Sequence, residues 1–268
     1  MTSSLVFLKL GGSLITDKSK PDTPRIAVLE RLAKEIRRAL TDQPQLSLLI
    51  GHGSGSFGHT AALRYGTRDG AHTSEQWLGF AAVSAAAGKL NRLVEDALRA
   101  EGIPILNMRP SASAVCKDGT LTELATAPTT AALRNSLVPL VCGDVAIDTQ
   151  RGVTIVSTED VFVHLASQLH PARILLAGAD AGVLSHFPNG ALVPRLTPAL
   201  LASKQAQVQC AQAPDVTGGM AGKVTQMFAL LHAHPEIKIH IFSGAAPDNT
   251  YNQLLGRESS GTLLSTSD

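Results

Sequence analysis

The stretch "QLSLLIGHGSGSFGHT", residues 45–60, joins a short apolar run to a segment holding Gly51, Gly53, Gly55 and Gly58. "QLSLLI" (45–50) reads as a buried strand. Glycine weakens strands and helices, because its backbone freedom is lost on folding. The segment after the strand therefore reads as a loop, 51–59. Glycine at this density usually serves a close backbone approach. The question is what approaches.

Working outward, apolar strand-like runs alternate with helical patterns. "LVFLKL" (5–10) ends at Gly11-Gly12-Ser13. Residues 25–40 place Ile26, Leu29, Leu32, Ala33, Ile36 and Leu40 at helical spacing with a basic outer face. Residues 74–100 form a long alanine-rich helical stretch, with Gly102 as a stop signal. Strands are expected at 103–108, 138–143, 152–157, 173–179 and 237–244. Helices are expected at 158–169, with Thr158 as N-cap, and at 222–233. The stretch 183–217 reads as a flap or edge segment. Strands that are apolar throughout belong to sheets covered on both faces. The fold class is therefore α/β, a three-layer αβα sandwich with a largely parallel central sheet, and residues 1–268 are read as a single domain.

Bulk properties exclude several function classes. The 268 residues are 44% hydrophobic and 17% charged, as in an ordinary globular protein. A net charge of +1 exerts no general pull on nucleic acid or anionic membrane. Aromatics, at 4%, are too few for a base-stacking platform. The three cysteines, Cys116, Cys142 and Cys210, are far apart and form no CxxC. No disulfide framework or zinc site is expected, and a reducing cytoplasm fits. "MTSSLVFLKLGG" lacks the charged start and long apolar core of a signal peptide, and no apolar run is long enough for a membrane helix.

The polar punctuation falls where strands end. In open α/β sheets, ligands bind beyond the carboxyl ends of the strands. Gly11-Gly12-Ser13, the loop 51–59, Gly143-Asp144 and Gly178-Ala179-Asp180 all take such positions, and "DVTGGMAGKV" (215–224) places glycines directly before a helix. Free amides in such loops bind anions. Lys9 interrupts an apolar strand just before Gly-Gly-Ser, Lys18 lies in "ITDK", and Lys223 lies in "GMAGK" at a helix start. An ammonium group is a suitable point charge for phosphate oxygens. Together these placements favour phosphoryl chemistry. The Walker pattern is absent, and "GSGSFG" (53–58) is a lone GxGxxG whose acidic candidate, Glu75, opens a helix.

"LKLGGSLITDK", "GHGSGSFGH", the Gly143-Asp144 pair, "AGADAGVL" (177–184) and "TGGMAGK" (217–223) fall in the order of the amino acid kinase superfamily, which the whole chain resembles. "ITDK" with "GSFGH" is similar to its isopentenyl phosphate kinase branch. The resemblance implies transfer of the γ-phosphoryl of ATP to isopentenyl phosphate, with Mg²⁺ bridging ATP phosphates, in a cytoplasmic homodimer. It implies that Lys9 binds the transferred phosphate beside the amides of Gly11, Gly12 and Ser13. Lys18 would stabilise the transition state. Lys223 would reach the ATP phosphates from a helix start near Gly219, with Asp180 at the nucleotide site. Ser54 and Gly55 would hold the acceptor phosphate, with Gly143 assisting.

His59 would donate a hydrogen bond to a non-bridging oxygen of the acceptor. His52 stands where the branch usually has glycine, and is read as structural. Ser157-Thr158-Glu159-Asp160 replaces the family's Ser-Gly-Asp-Asp run, leaving Asp160 and Asp144 as candidates to orient the lysines. Trp77, Phe80, Ala81, Val83 and Ser84 would wall the pocket for the acceptor's tail. His232 and His234 form an HxH at a helix end, with no other ligand nearby in sequence, and no metal site is expected there. A phosphonate kinase acting on a compound such as fosfomycin, a carboxylate kinase, and a non-catalytic nucleotide-binding protein on this fold are the alternatives.

Overall fold

The computed structural model describes residues 5–186, 189–203, 219–257 and 260–266, excluding the side chains of His59, Thr60 and residues 219–221. Its strands are β1 (Leu5–Leu10), β2 (Ser47–His52), β3 (Ile105–Asn107), β4 (Val115–Lys117), β5 (Thr120–Glu123), β6 (Val138–Cys142), β7 (Asp144–Asp148), β8 (Gly152–Val156), β9 (Arg173–Gly178), β10 (Arg195–Leu196), β11 (Lys238–Ser243) and β12 (Thr262–Leu264). Its helices are α1 (Gly12–Ile15), α2 (Ile26–Asp42), α3 (Gly55–Tyr65), α4 (Ser74–Ala100), α5 (Ala127–Arg134), α6 (Thr158–Leu169), α7 (Pro198–Ala202), α8 (Gly219–Ala233) and α9 (Asn249–Leu254).

The main sheet runs β10-β12-β11-β9-β1-β2-β6-β3 and is parallel except for the β11–β12 pair. Its side chains alternate between two cores. Val6, Leu8 and Leu10 of β1 pack with Leu29, Leu32 and Ile36 of α2 and with Leu90 and Val94 of α4. Phe7 of β1 and Leu49 of β2 point the other way, onto Phe162 and Leu165 of α6 and Met227 of α8. This double burial is why the strands lack polar alternation, and it makes the three-layer αβα sandwich. Strand β1 lies between β2 and β9, where the chain changes from building one side of the sheet to building the other. A crevice opens at such a switch point, beyond the carboxyl ends of the strands.

A second sheet, β5-β4-β7-β8, stands beyond β6. Of it the sequence pattern yields only β8: β4, β5 and β7 are short, and Thr120, Glu123 and Asp144 break their apolar character. The loop expected at 51–59 is also corrected, since helix α3 starts at Gly55 and runs through its second half. Tertiary contact with α4 overrides the low helix propensity of the glycines. The N-cap of α6 is Ser157 rather than Thr158: its hydroxyl accepts from the Asp160 amide and the Asp160 carboxylate accepts from the Ser157 amide. The long helix at 74–100 is present over the expected span, capped by a Thr73–Gln76 box. The stretch 183–217 contributes β10 and α7; residues 204–218 lie outside the described residues. No helix among the described residues is long and apolar enough to cross a membrane.

Candidate active site

Two glycine turns interlock at the switch point, and they answer the question posed by residues 51–58. A Cβ on Gly12 would lie 2.6 Å from the Gly55 nitrogen, and one on Gly53 would lie 2.9 Å from the Gly12 nitrogen. Gly55 has φ of +53°, and a Cβ there would lie 2.2 Å from Thr16 Oγ1. The backbone that comes after β1 is the group that approaches the glycine segment. Thr16 fastens the two together, donating its hydroxyl to the Gly12 carbonyl and accepting the Ser56 amide.

Beside this contact lies a solvent-open cleft. It is lined by Lys9, Gly12, Ser13, Lys18, Ser54, Gly55, Gly143 and Lys223, so residues from four distant segments meet in one place. The amides of Gly12 and Ser13, opening α1, have no backbone acceptor among the described residues. The amides of Gly11 and Gly143 are already committed, donating to the Ala177 carbonyl at 2.8 Å and the His52 carbonyl at 3.0 Å. The anion-binding role expected of the Gly11 amide is therefore withdrawn, and Gly143 contributes cleft wall rather than a free donor. Gly11 serves close packing instead, since a Cβ there would lie 2.9 Å from that carbonyl oxygen. Asp180 is exposed just beyond β9, at the same sheet edge but outside the cleft lining. Gly219 opens α8, four residues before Lys223, and the backbone of His59 lies in α3.

The lysines are organised by a residue that sequence reading passed over. Glu159, in the first turn of α6, forms an ion pair with Lys9, Oε1 to Nζ 2.9 Å, and stands 4.0 Å from Lys223 Nζ. Burial opposes its ionisation, but the two ammonium groups outweigh this and hold its carboxyl below the ordinary range. The acids expected in this role act elsewhere. Asp144 binds Arg109, with Nη2 2.9 Å from Oδ1 and Nε 3.1 Å from Oδ2. Asp160 caps α6 and accepts from Gln226. The signal was present as two adjacent acids in the first turn of a helix that comes after a buried strand. Only the helix phase tells which of the two faces the lysines.

Arg109 was also missed, because nothing local distinguishes it. It donates to the Ser84 carbonyl at 2.8 Å and the Ser84 hydroxyl at 2.9 Å, tying α4 to β7 through Asp144. Ser84 is thus a bracing residue rather than pocket wall. Of the five residues expected to wall the tail pocket, Val83 alone lines the cleft. Ala62 of α3, Ala87 of α4, Ile155 and Val156 complete its apolar end. Trp77 packs edge-on against Phe80 and is 42% exposed.

His52 is fully buried. Its Nδ1 lies 3.1 Å from the Gly53 carbonyl and its Nε2 lies 3.0 Å from Asn91 Nδ2. One ring nitrogen donating and the other accepting fits the neutral imidazole, and burial pushes its pKa down to about 4. Its carbonyl accepts the Thr158 hydroxyl at 2.7 Å. It is a structural residue, as expected.

The amino acid kinase family model matches residues 4–243. The chain is 34% identical over 269 residues to the isopentenyl phosphate kinase of Methanothermobacter thermautotrophicus, covering 97% of this chain and 98% of that one. It is 37% identical over 228 residues to the isopentenyl phosphate kinase of Haloferax volcanii, covering 85% and 88%. A solved isopentenyl phosphate kinase superposes with a TM-score of 0.82 at 30% identity, covering 97% of this chain and all of that one. With its interlocked glycine turns and its lysines meeting at one cleft, the chain belongs to the amino acid kinase family and, within it, to the isopentenyl phosphate kinases.

Proposed function

We propose that the protein transfers the γ-phosphoryl group of ATP to isopentenyl phosphate, giving isopentenyl diphosphate and ADP. The observation that carries the reading is the cleft itself. It joins three lysines and two glycine turns to an apolar end made of Ala62, Val83, Ala87 and Ile155. Cations and amides suit phosphates, and the apolar end suits a short hydrocarbon tail. The N-terminal part binds the acceptor and the C-terminal part binds ATP, within one domain.

An oxygen of the acceptor phosphate attacks the γ-phosphorus, and the bond to the ADP oxygen breaks. No covalent enzyme intermediate forms, so the protein's work is positioning and charge neutralisation. Lys9, steered by Glu159, holds the transferred phosphoryl group beside the amides of Gly12 and Ser13. Lys18 neutralises charge at the bridging oxygens, and Lys223 holds the ATP phosphates from α8. Ser54 and Gly55 cradle the acceptor phosphate, and His59 donates to one of its non-bridging oxygens. The carboxylates lining the cleft, Asp144 and Glu159, are paired with Arg109 and Lys9, so the described residues form no carboxylate cage for Mg²⁺. Mg²⁺ belongs with the ATP phosphates. The family resemblance supports a homodimer, and the free, buried Cys116 and Cys142 suit a reducing cytoplasm.

The test is ADP release with ATP, Mg²⁺ and a panel of acceptors: isopentenyl, dimethylallyl and geranyl phosphates, fosfomycin, glutamate and UMP. Fast turnover of isopentenyl phosphate, lost in His59→Ala, is the expected result. Turnover with fosfomycin or glutamate alone would replace the acceptor and keep the kinase. Tight ATP binding without turnover of any acceptor would leave a nucleotide-binding protein.

A further inference from the structure

We propose that His170, His234 and Glu236 form a surface site for one zinc-class divalent cation, at the amino ends of β9 and β11, the end of the sheet opposite the cleft. The two histidines are 64 positions apart in sequence, and pattern reading of the His232–His234 pair gave no third ligand. The fold supplies it. His170 ends α6, His234 comes directly after α8, and Glu236 lies in the turn before β11. One ligand atom from each of the three lies within 4.8 Å of those of the other two.

The imidazole centroids are 5.5 Å apart, and His234 Nδ1 stands 3.5 Å from Glu236 Oε1. Two imidazoles and a carboxylate are a borderline-soft donor set that suits zinc, copper or nickel and is poorly suited to magnesium. His170 and Glu236 are exposed and His234 is half-buried, so an ion has access and the fourth position is open to water.

The scaffold holds these groups in place. Both turns lead into neighbouring parallel strands, with Arg173 of β9 in register with Lys238 of β11, and the Lys238 amide donates to the Ala172 carbonyl at 3.1 Å. His170 is the left-handed C-cap of α6, φ 47°, a backbone region that histidine, like asparagine and aspartate, enters more readily than other residues with a side chain. An ion here would pin the C-terminal ends of α6 and α8 to each other. The opposite ends of these helices carry Glu159 and Lys223.

The experiment uses full-length protein without a polyhistidine tag, stripped with chelator and free of nucleotide. Zinc binding is measured by calorimetry, and cobalt is used as a spectroscopic reporter of tetrahedral coordination. One-to-one binding is expected, with the tetrahedral cobalt spectrum and no displacement by excess Mg²⁺. Zinc at 100 times its Kd raises the folded-to-unfolded ratio about 100-fold, read as a higher melting temperature. His170→Asn, which keeps a residue tolerant of the left-handed position, and Glu236→Ala at an exposed site should each weaken binding at least about tenfold while preserving the metal-free melting temperature. No saturable binding, or binding of equal strength in both variants, would overturn the proposal.

Discussion

Lys9 and Glu159 meet at 2.9 Å inside the cleft, with only 7% and 4% of their side chains exposed. One comes from a central strand and the other from the first turn of a helix far along the chain. Lys223 joins the same carboxylate at 4.0 Å. Glu159 thereby brings two ammonium groups together that would otherwise repel.

Glu159→Gln should therefore lower both stability and turnover. Removing one partner of a buried ion pair strips that compensation from the remaining charge, at a cost of up to about 3 kcal/mol. Because Lys9 also lines the cleft, the phosphates of saturating ATP should restore part of that loss. Denaturant melts with and without nucleotide test this. Unchanged stability in the variant would mean that the pair does not organise the site.

Lys18→Ala should separate binding from chemistry. Lys18 lines the cleft from the turn after α1. Loss of one preorganised transition-state charge costs about 10²–10³-fold in kcat, while ATP affinity should stay near that of the wild type. Equal losses in nucleotide affinity and kcat would make it a ground-state binding residue instead.

Gly55→Ala should disrupt the interlocked turns. The position has positive φ, and the added Cβ would lie 2.2 Å from Thr16 Oγ1. Strain of this kind costs about 1–3 kcal/mol, and the acceptor should bind more weakly as the turn shifts. Gly102→Ala is a useful control. Gly102 also has positive φ, but its Cβ would meet nothing within 4 Å, so it should lose stability without loss of activity.

His52 should make the protein acid-sensitive. Its folded pKa of about 4 lies below its ordinary 6.5, so the unfolded chain binds the proton more readily between these values. Its contribution is complete above about pH 6.5, falls as pH drops towards 4, and changes no further below that. The shift corresponds to about 3 kcal/mol. Unfolding free energy measured across this window should fall more steeply in the wild type than in His52→Gln. Parallel slopes would show that His52 is not the group responsible.

Much of this was legible along the chain because it depends on local period and on short motifs. Double burial keeps β1, β2, β6 and β9 largely apolar, and α2 must present one apolar stripe to the sheet. A lysine inside an apolar strand, next to glycines at the strand end, stood out for the same reason. Strands β4, β5 and β7 did not, since a few residues of mixed polarity carry too weak a period. Helix α3 was hidden by its glycines, whose poor intrinsic propensity is outweighed by packing against α4.

The sequence by itself determined the α/β layering, the strand ends where chemistry sits, and the lysines and glycines that reach the cleft. Tertiary structure alone decided which partners those groups take. Glu159 rather than Asp144 or Asp160 faces Lys9, the Gly11 and Gly143 amides are spent on neighbouring carbonyls, and His170 comes to stand beside His234. The physical reason is that a strand or helix period reveals which face a side chain takes. The group opposite that face depends on strand order and helix phase, which bring distant segments together and leave little trace in either one.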